Sequence, residues 1–295
     1  MSDTALETLL RRDRAIVAGA LITVTLASWL YILWLASAMD MAGTGAAAGA
    51  TATGSGMSME GMDMPMDMPM DMPMNGGEGA TMAADARAWT LVTFAYAFVM
   101  WAVMMVGMMV PSATPMILLY ARVGRQAAQQ GKPFAATGFF ACGYLAAWTV
   151  FALVAAFLQW LLDRALLLTP ALSSASQLLS GVALIAIGLF QWTPLKDRCL
   201  SQCQSPLIFI QNHGGFRREA GAAFSLGIRH GLYCVGCCWA LMALLFVGGV
   251  MNVLWIAAIA IFVLAEKVVP GGRFLSRFAG AALVVAGFWQ LAVMI

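Results

Sequence analysis

Five of the six cysteines in this 295-residue chain fall into two groups whose spacing suits metal ligation, Cys199-x3-Cys203 and Cys234-x2-Cys237-Cys238. On a helix, residues three or four apart share a face, so Cys199 can approach Cys203, and Cys234 can approach both Cys237 and Cys238. His230 lies one turn before Cys234 and can join them, while Arg229 beside it favours the thiolate forms that bind soft metals. The Cys-x2-Cys spacing also serves thiol–disulfide exchange, so spacing alone leaves metal binding and redox work both open. Cys142 stands apart and reads as a small core hydrophobe. His213, in the run Gln211-Asn212-His213-Gly214-Gly215, reads as a solvated loop histidine.

Methionine supplies a second set of soft ligands. Met57, Met59, Met62, Met64, Met66, Met68, Met70, Met72 and Met74 lie in one short tract, in which Met-Asp-Met-Pro occurs three times from Met62. Thioether sulfur is soft and uncharged and favours Cu(I), which makes copper the expected metal. Pro65, Pro69 and Pro73 forbid a continuous helix there. A low-complexity linker is the bland alternative, although so many apolar side chains are unusual in a purely solvating one. Further on, Met100, Met104 and Met108 form one i, i+4 row, and Met105 and Met109 form a second. Thioethers stacked about 6 Å apart along a helix can pass a soft ion from site to site, and can equally be membrane-core filler.

The elements that must position these residues are membrane spans. Hydrophobic residues make up 62% of the chain and charged ones only 10%, and apolar stretches of about 20 residues alternate with short basic loops. The expected fold is therefore an all-α polytopic helix bundle of about seven spans, near 15–38, 89–111, 135–160, 172–192, 231–249, 250–266 and 274–294. Arg11, Arg12 and Arg14 precede the first span. Arg122, Arg125 and Lys132 follow the second, Lys196, Arg198, Arg217 and Arg218 the fourth, and Lys267, Arg273 and Arg277 the sixth. Positive-inside bias then makes the amino terminus cytoplasmic and the Met-rich loop extracytoplasmic, in a bacterial inner membrane.

Three regions follow: an N-terminal anchor at 1–38, the Met-rich loop at 39–88 and a six-helix metal-binding domain at 89–295. Ala36-Ser37-Ala38 resembles a signal-peptidase site, but the apolar run is longer than an ordinary signal core, and the charge alternation works with the span retained. This map puts Cys199 and Cys203 in a cytoplasmic loop and Cys234, Cys237 and Cys238 in the first two turns of the fifth span, so the clusters can converge at one membrane face. Glu266 and Lys267 read as a helix-end ion pair. The Gly227-x3-Gly231 step is a small-residue hint of homo-oligomerisation.

The runs MMVPSATPMILLY from Met108, TPLKDRCLSQCQSP from Thr193, GLYCVGCCWALM from Gly231, GVMN from Gly249 and AEKVVPGG from Ala265 resemble, in order, a bacterial family of predicted metal-binding integral membrane proteins, a domain of unknown function. The resemblance covers roughly 89–295 and implies a metal site at Cys199, Cys203, Cys234, Cys237 and Cys238. It implies no settled activity. The pairing of an outer Met-rich segment with a Met-x3-Met helix is also analogous to eukaryotic high-affinity copper uptake channels.

Together these features point to a lipid-embedded Cu(I)-binding protein that captures copper and passes it inward or delivers it to a copper protein or membrane metalloenzyme. Thioethers survive outside without forming disulfides, and thiolates bind soft metals tightly in the reduced cytoplasm. A membrane thiol or metal redox enzyme, and an accessory subunit with a structural metal, are the rival classes. Only two histidines occur and no phosphate loop is present, which argues against a His-pair haem site and nucleotide chemistry. The formal net charge of +2 leaves no footprint for nucleic acid.

Overall fold

With no water to bond a bare peptide group, an apolar chain in a bilayer must close its hydrogen bonds within each segment. The computed structural model accordingly is predominantly helical; it describes residues 16–39, 89–130, 137–165, 167–168, 176–216 and 219–293. The Met57–Met74 tract lies outside the described residues, as does most of the expected 39–88 region. We label the helices α1 (Ile16–Met39), α2 (Leu91–Gln129), α3 (Thr137–Arg164), α4 (Gln177–Phe190), α5 (Pro194–Gln204) and α6 (Pro206–Asn212). They continue with α7 (Ala220–Ala243), the single turn α8 (Leu245–Gly248), α9 (Val253–Val268) and α10 (Gly272–Ala292).

Among the described residues, five helices are long and apolar enough to cross a membrane: α1, α2, α3, α7 running on through α8, and α10. The count becomes six if α4 and α5, bent by 63° at their junction, form one broken span. At 16 residues α9 is shorter, about 24 Å. Leu26, Leu30 and Trp34 on α1, like Phe274, Phe278 and Trp289 on α10, face outward, as lipid-contacting side chains would.

Three boundaries depart from the sequence expectation, one of them the start of α7 at Ala220 rather than at 231. The second span does not stop at Pro111: α2, 39 residues long in all, continues through Pro111 and Pro115. Proline at 111 removes the donor that would reach the Gly107 carbonyl, and Trp29 of α1 replaces it, its Nε1 donating to that oxygen at 3.3 Å. Ser112 and Thr114 hydroxyls donate to the Met109 and Val110 carbonyls at 2.9 Å each. The third departure is α5. The expected basic loop after the fourth span is instead a helix, started by Pro194 in its first turn with the Thr193 hydroxyl accepting from Lys196 N.

Glycine faces set the packing. A Cβ at Gly143 would collide with the Phe224 carbonyl, one at Gly227 with the Phe140 carbonyl, and one at Gly231 would sit 2.5 Å from Ala147 Cβ. So α3 and α7 pack side by side in parallel with their backbones in contact. The Gly227-x3-Gly231 step is therefore spent inside the chain, which removes the sequence hint of oligomerisation. In the same way Gly181 meets Gly287 and Gly188 meets Gly280, holding α4 and α10 antiparallel. The break after Gly248 is real: Gly249 has φ of +95°, and Asn252 caps α9 by accepting from Trp255 N.

Candidate metal centre

The centre is built on α7. Because α7 begins at Ala220, Cys234 lies about 21 Å along it, well inside the bundle rather than in the first turns at a membrane face. Cys234, Cys237 and Cys238 are all buried. Cys237 and Cys238 Sγ donate to the Cys234 carbonyl at 3.1 and 2.8 Å, which turns the three sulfurs to one side of the helix.

The second pair arrives on α5, which packs against α7. Gly236 leaves the room: a Cβ there would stand 2.8 Å from Cys199 Sγ. Cys199 is buried, and the Cys203 thiol interacts with Cys234 and Cys237. The two clusters do converge. What seats α5 is a buried network: Lys196 Nζ donates to both Glu266 carboxylate oxygens at 2.8 and 3.1 Å and to Gln191 Oε1, and Gln204 Nε2 donates to the Glu266 carbonyl at 2.7 Å. Glu266 and Lys267 are thus not partners of one another. Each reaches a different neighbour.

From α2 comes the methionine row. Met100, Met104, Met105, Met108 and Met109 are all buried, and Met109 Sδ lies 3.9 Å from Cys238 Sγ. A soft ion bonded to two sulfurs at about 2.3 Å and a trigonal angle spans sulfurs about 4 Å apart, so this gap fits one shared ion. Tyr144 of α3 completes the wall, its hydroxyl 3.1 Å from both the Met109 carbonyl and Cys234 Sγ. Lys267 of α9 closes the far side, donating to Cys234 Sγ at 2.9 Å and to Ser112 Oγ at 3.0 Å.

His230 is buried one turn below Cys234 among Phe140, Tyr144 and Phe209, with ring centroids 5.1 to 5.9 Å away, and its Nδ1 has no hydrogen-bond partner among the described residues. That orphaned nitrogen is what an imidazole ligand awaiting a metal would show. His213 is not brought to the thiols: it stacks on Phe209 at 4.4 Å and bonds the Phe209 carbonyl through Nδ1. Cys142 is exposed on α3, not in the core. Arg229 is exposed too and lines a cavity of about 200 Å³ with Tyr120 and His213, so the cation beside the thiols is Lys267 instead.

Among the described residues no three of His, Cys, Asp and Glu are grouped so that they could hold a metal ion by themselves. The donors present are nonetheless sulfur, with one orphaned imidazole nitrogen nearby, and Cu(I) accepts about two or three soft donors, thioether among them. The set fits that ion and offers no oxygen cage for a hard one.

A family model described as copper chaperone, PpoB2, matches residues 98–290, which spans the methionine row and both cysteine clusters. The chain belongs to the PpoB2 copper chaperone family. Membership gives it a copper-related role, and the match falls within the 89–295 stretch in which the ordered motifs were read. No curated protein and no solved structure matches this copper chaperone family member.

Sequence reasoning missed Tyr144, Ser112 and Lys267. Tyr144 and Ser112 carry no local signal, since tyrosine and serine in an apolar run are common. Lys267 did carry one, a charge at the end of an otherwise apolar helix, but its sequence neighbour Glu266 makes it read as half of a helix-end ion pair.

Proposed function

We propose that the chain is an integral membrane Cu(I) chaperone of the bacterial inner membrane. It captures Cu(I) outside on Met57–Met74, passes it along Met100, Met104, Met105, Met108 and Met109, holds it at Cys199, Cys203, Cys234, Cys237 and Cys238 with His230 in reserve, and delivers it to a partner copper protein. The observation that carries this reading is the 3.9 Å approach of Met109 to Cys238, where the thioether row ends on the thiol cluster. Thiolates bind a soft ion more tightly than thioethers, so affinity rises along the row and biases movement towards the cysteines. Tyr144 and the packed aromatics keep competing water out.

The test is a comparison of cluster variants. Changing Cys199 and Cys203 to Ser should abolish as much tight Cu(I) binding as changing Cys234, Cys237 and Cys238 to Ser, with the combined variant little worse than either. Such non-additivity is the signature of groups acting on one site. Additive loss, each cluster keeping its own equivalent, would mean two separate sites. Unchanged stoichiometry with lost thiol–disulfide activity would favour a redox enzyme.

A further inference from the structure

Lys267 is the residue that a metal-binding reading leaves unexplained. A cation beside ligand sulfurs repels the incoming metal ion, yet here the ammonium is buried and held by two bonds, to Cys234 Sγ and Ser112 Oγ. Ser112 is itself anchored on the Met109 carbonyl, so the lysine head is fixed against Cys234 Sγ and tied to the backbone of Met109. Among the described residues no carboxylate pairs with Lys267; the nearest in sequence, Glu266, is engaged by Lys196.

Building on the proposed Cu(I) role, we infer that Lys267 is a specificity-determining residue that selects a monovalent soft ion over a divalent one by charge balance. A monovalent ion on the Cys234 and Cys238 thiolates with the uncharged Met109 thioether leaves one negative charge, which the Lys267 ammonium neutralises. A divalent ion on the same two thiolates is already neutral and leaves the ammonium uncompensated in a buried setting. Burying an unpaired charge is costly, and that cost falls on the divalent complex alone. Zinc would also want four ligands in tetrahedral array, which adds to the discrimination without depending on Lys267.

The test uses the purified full-length chain in detergent with Ag(I) as a monovalent soft probe and Zn(II) as the divalent competitor, each titrated against a chelator. Lys267→Gln keeps a donor for Ser112 and Cys234 but removes the charge. Ag(I) affinity should fall by about 10- to 100-fold, the usual range for losing an outer-shell partner. Zn(II) affinity should hold or rise, while Lys267→Arg should retain the native ratio. Ser112→Asp supplies an independent arm, since it leaves the lysine in place and neutralises it from 3.0 Å away, and should shift the ratio the same way. Equal losses for both ions, or an unchanged ratio in Lys267→Gln and Ser112→Asp alike, would overturn the inference. If the native chain binds neither ion, the Cu(I) chaperone reading itself fails; if it binds Ag(I) and only the ratio is indifferent to Lys267, the failure is confined to the charge argument.

Discussion

Substituting Gly236 by Ala tests the convergence of the two clusters without touching a sulfur. The added Cβ would stand 2.8 Å from Cys199 Sγ and 3.7 Å from Cys199 Cβ. Ordinary contact begins at about 3.5–4.0 Å, so the sulfur must withdraw by roughly 0.7–1.2 Å. Metal–ligand distances tolerate only about 0.2 Å, and Cys199 is therefore lost as a ligand although its thiol remains. Overpacking costs about 1–3 kcal/mol of stability, offset by up to about 1 kcal/mol from replacing a helical glycine. The control is Gly221→Ala on the same helix, where a Cβ meets nothing within 4 Å. Chelator competition for Cu(I) should show weakened binding in G236A and none of that loss in G221A, with thermal unfolding separating the ligand effect from a folding defect. In a Cys199→Ser background G236A should cost little more. Native affinity in G236A would refute the shared site.

Two further outcomes concern the Met repeat. A synthetic peptide of residues 57–74 should bind Cu(I) at neutral pH and keep much of its affinity in mild acid, because thioethers carry no proton that competes; binding no better than a Met-to-Leu control would remove the capture step. Reporter fusions at Gly54 and Gly214 should report opposite compartments, outside and cytoplasmic respectively, and a shared compartment would overturn the charge-derived topology.

Helix type and the grouping of the cysteines were legible because both are local. Apolar runs dictate helices in lipid, and cysteine spacing of three or four declares a shared face on whichever helix it occupies. Depth was not legible. The first half of α7, Ala220 to Arg229, carries Ser225 and Arg229 and lowers the local hydropathy, so the span was expected to begin at Gly231 and the cysteines to lie near its end. The continuation of α2 past Pro111 was equally hidden, since the donor that rescues Gly107 sits 78 residues away on α1. For α5 the signal was present in Thr193-Pro194, a cap and first-turn proline, but was outweighed by the polar run Lys196-Asp197-Arg198. The partners of Glu266 and Lys267 depend on which helices meet at α9, and adjacency in sequence made each look like the other's counter-ion.

The bond from Trp29 to Gly107 ties α1 to the turn of α2 that leads into Met108 and Met109. Gly107 stands immediately before Met108 and Met109, the last two thioethers ahead of the cysteines, and its carbonyl is the one that Pro111 strands. Ten residues beyond Trp29, about 15 Å along the helix, α1 ends at Met39, and from there the chain runs into the Met-rich tract. The Met-rich tract is thus joined in sequence to the helix that bonds the turn just ahead of Met108 and Met109. In the proposed copper route, capture and handover would be linked through one helix, α1, which bonds α2 at the turn that Pro111 interrupts.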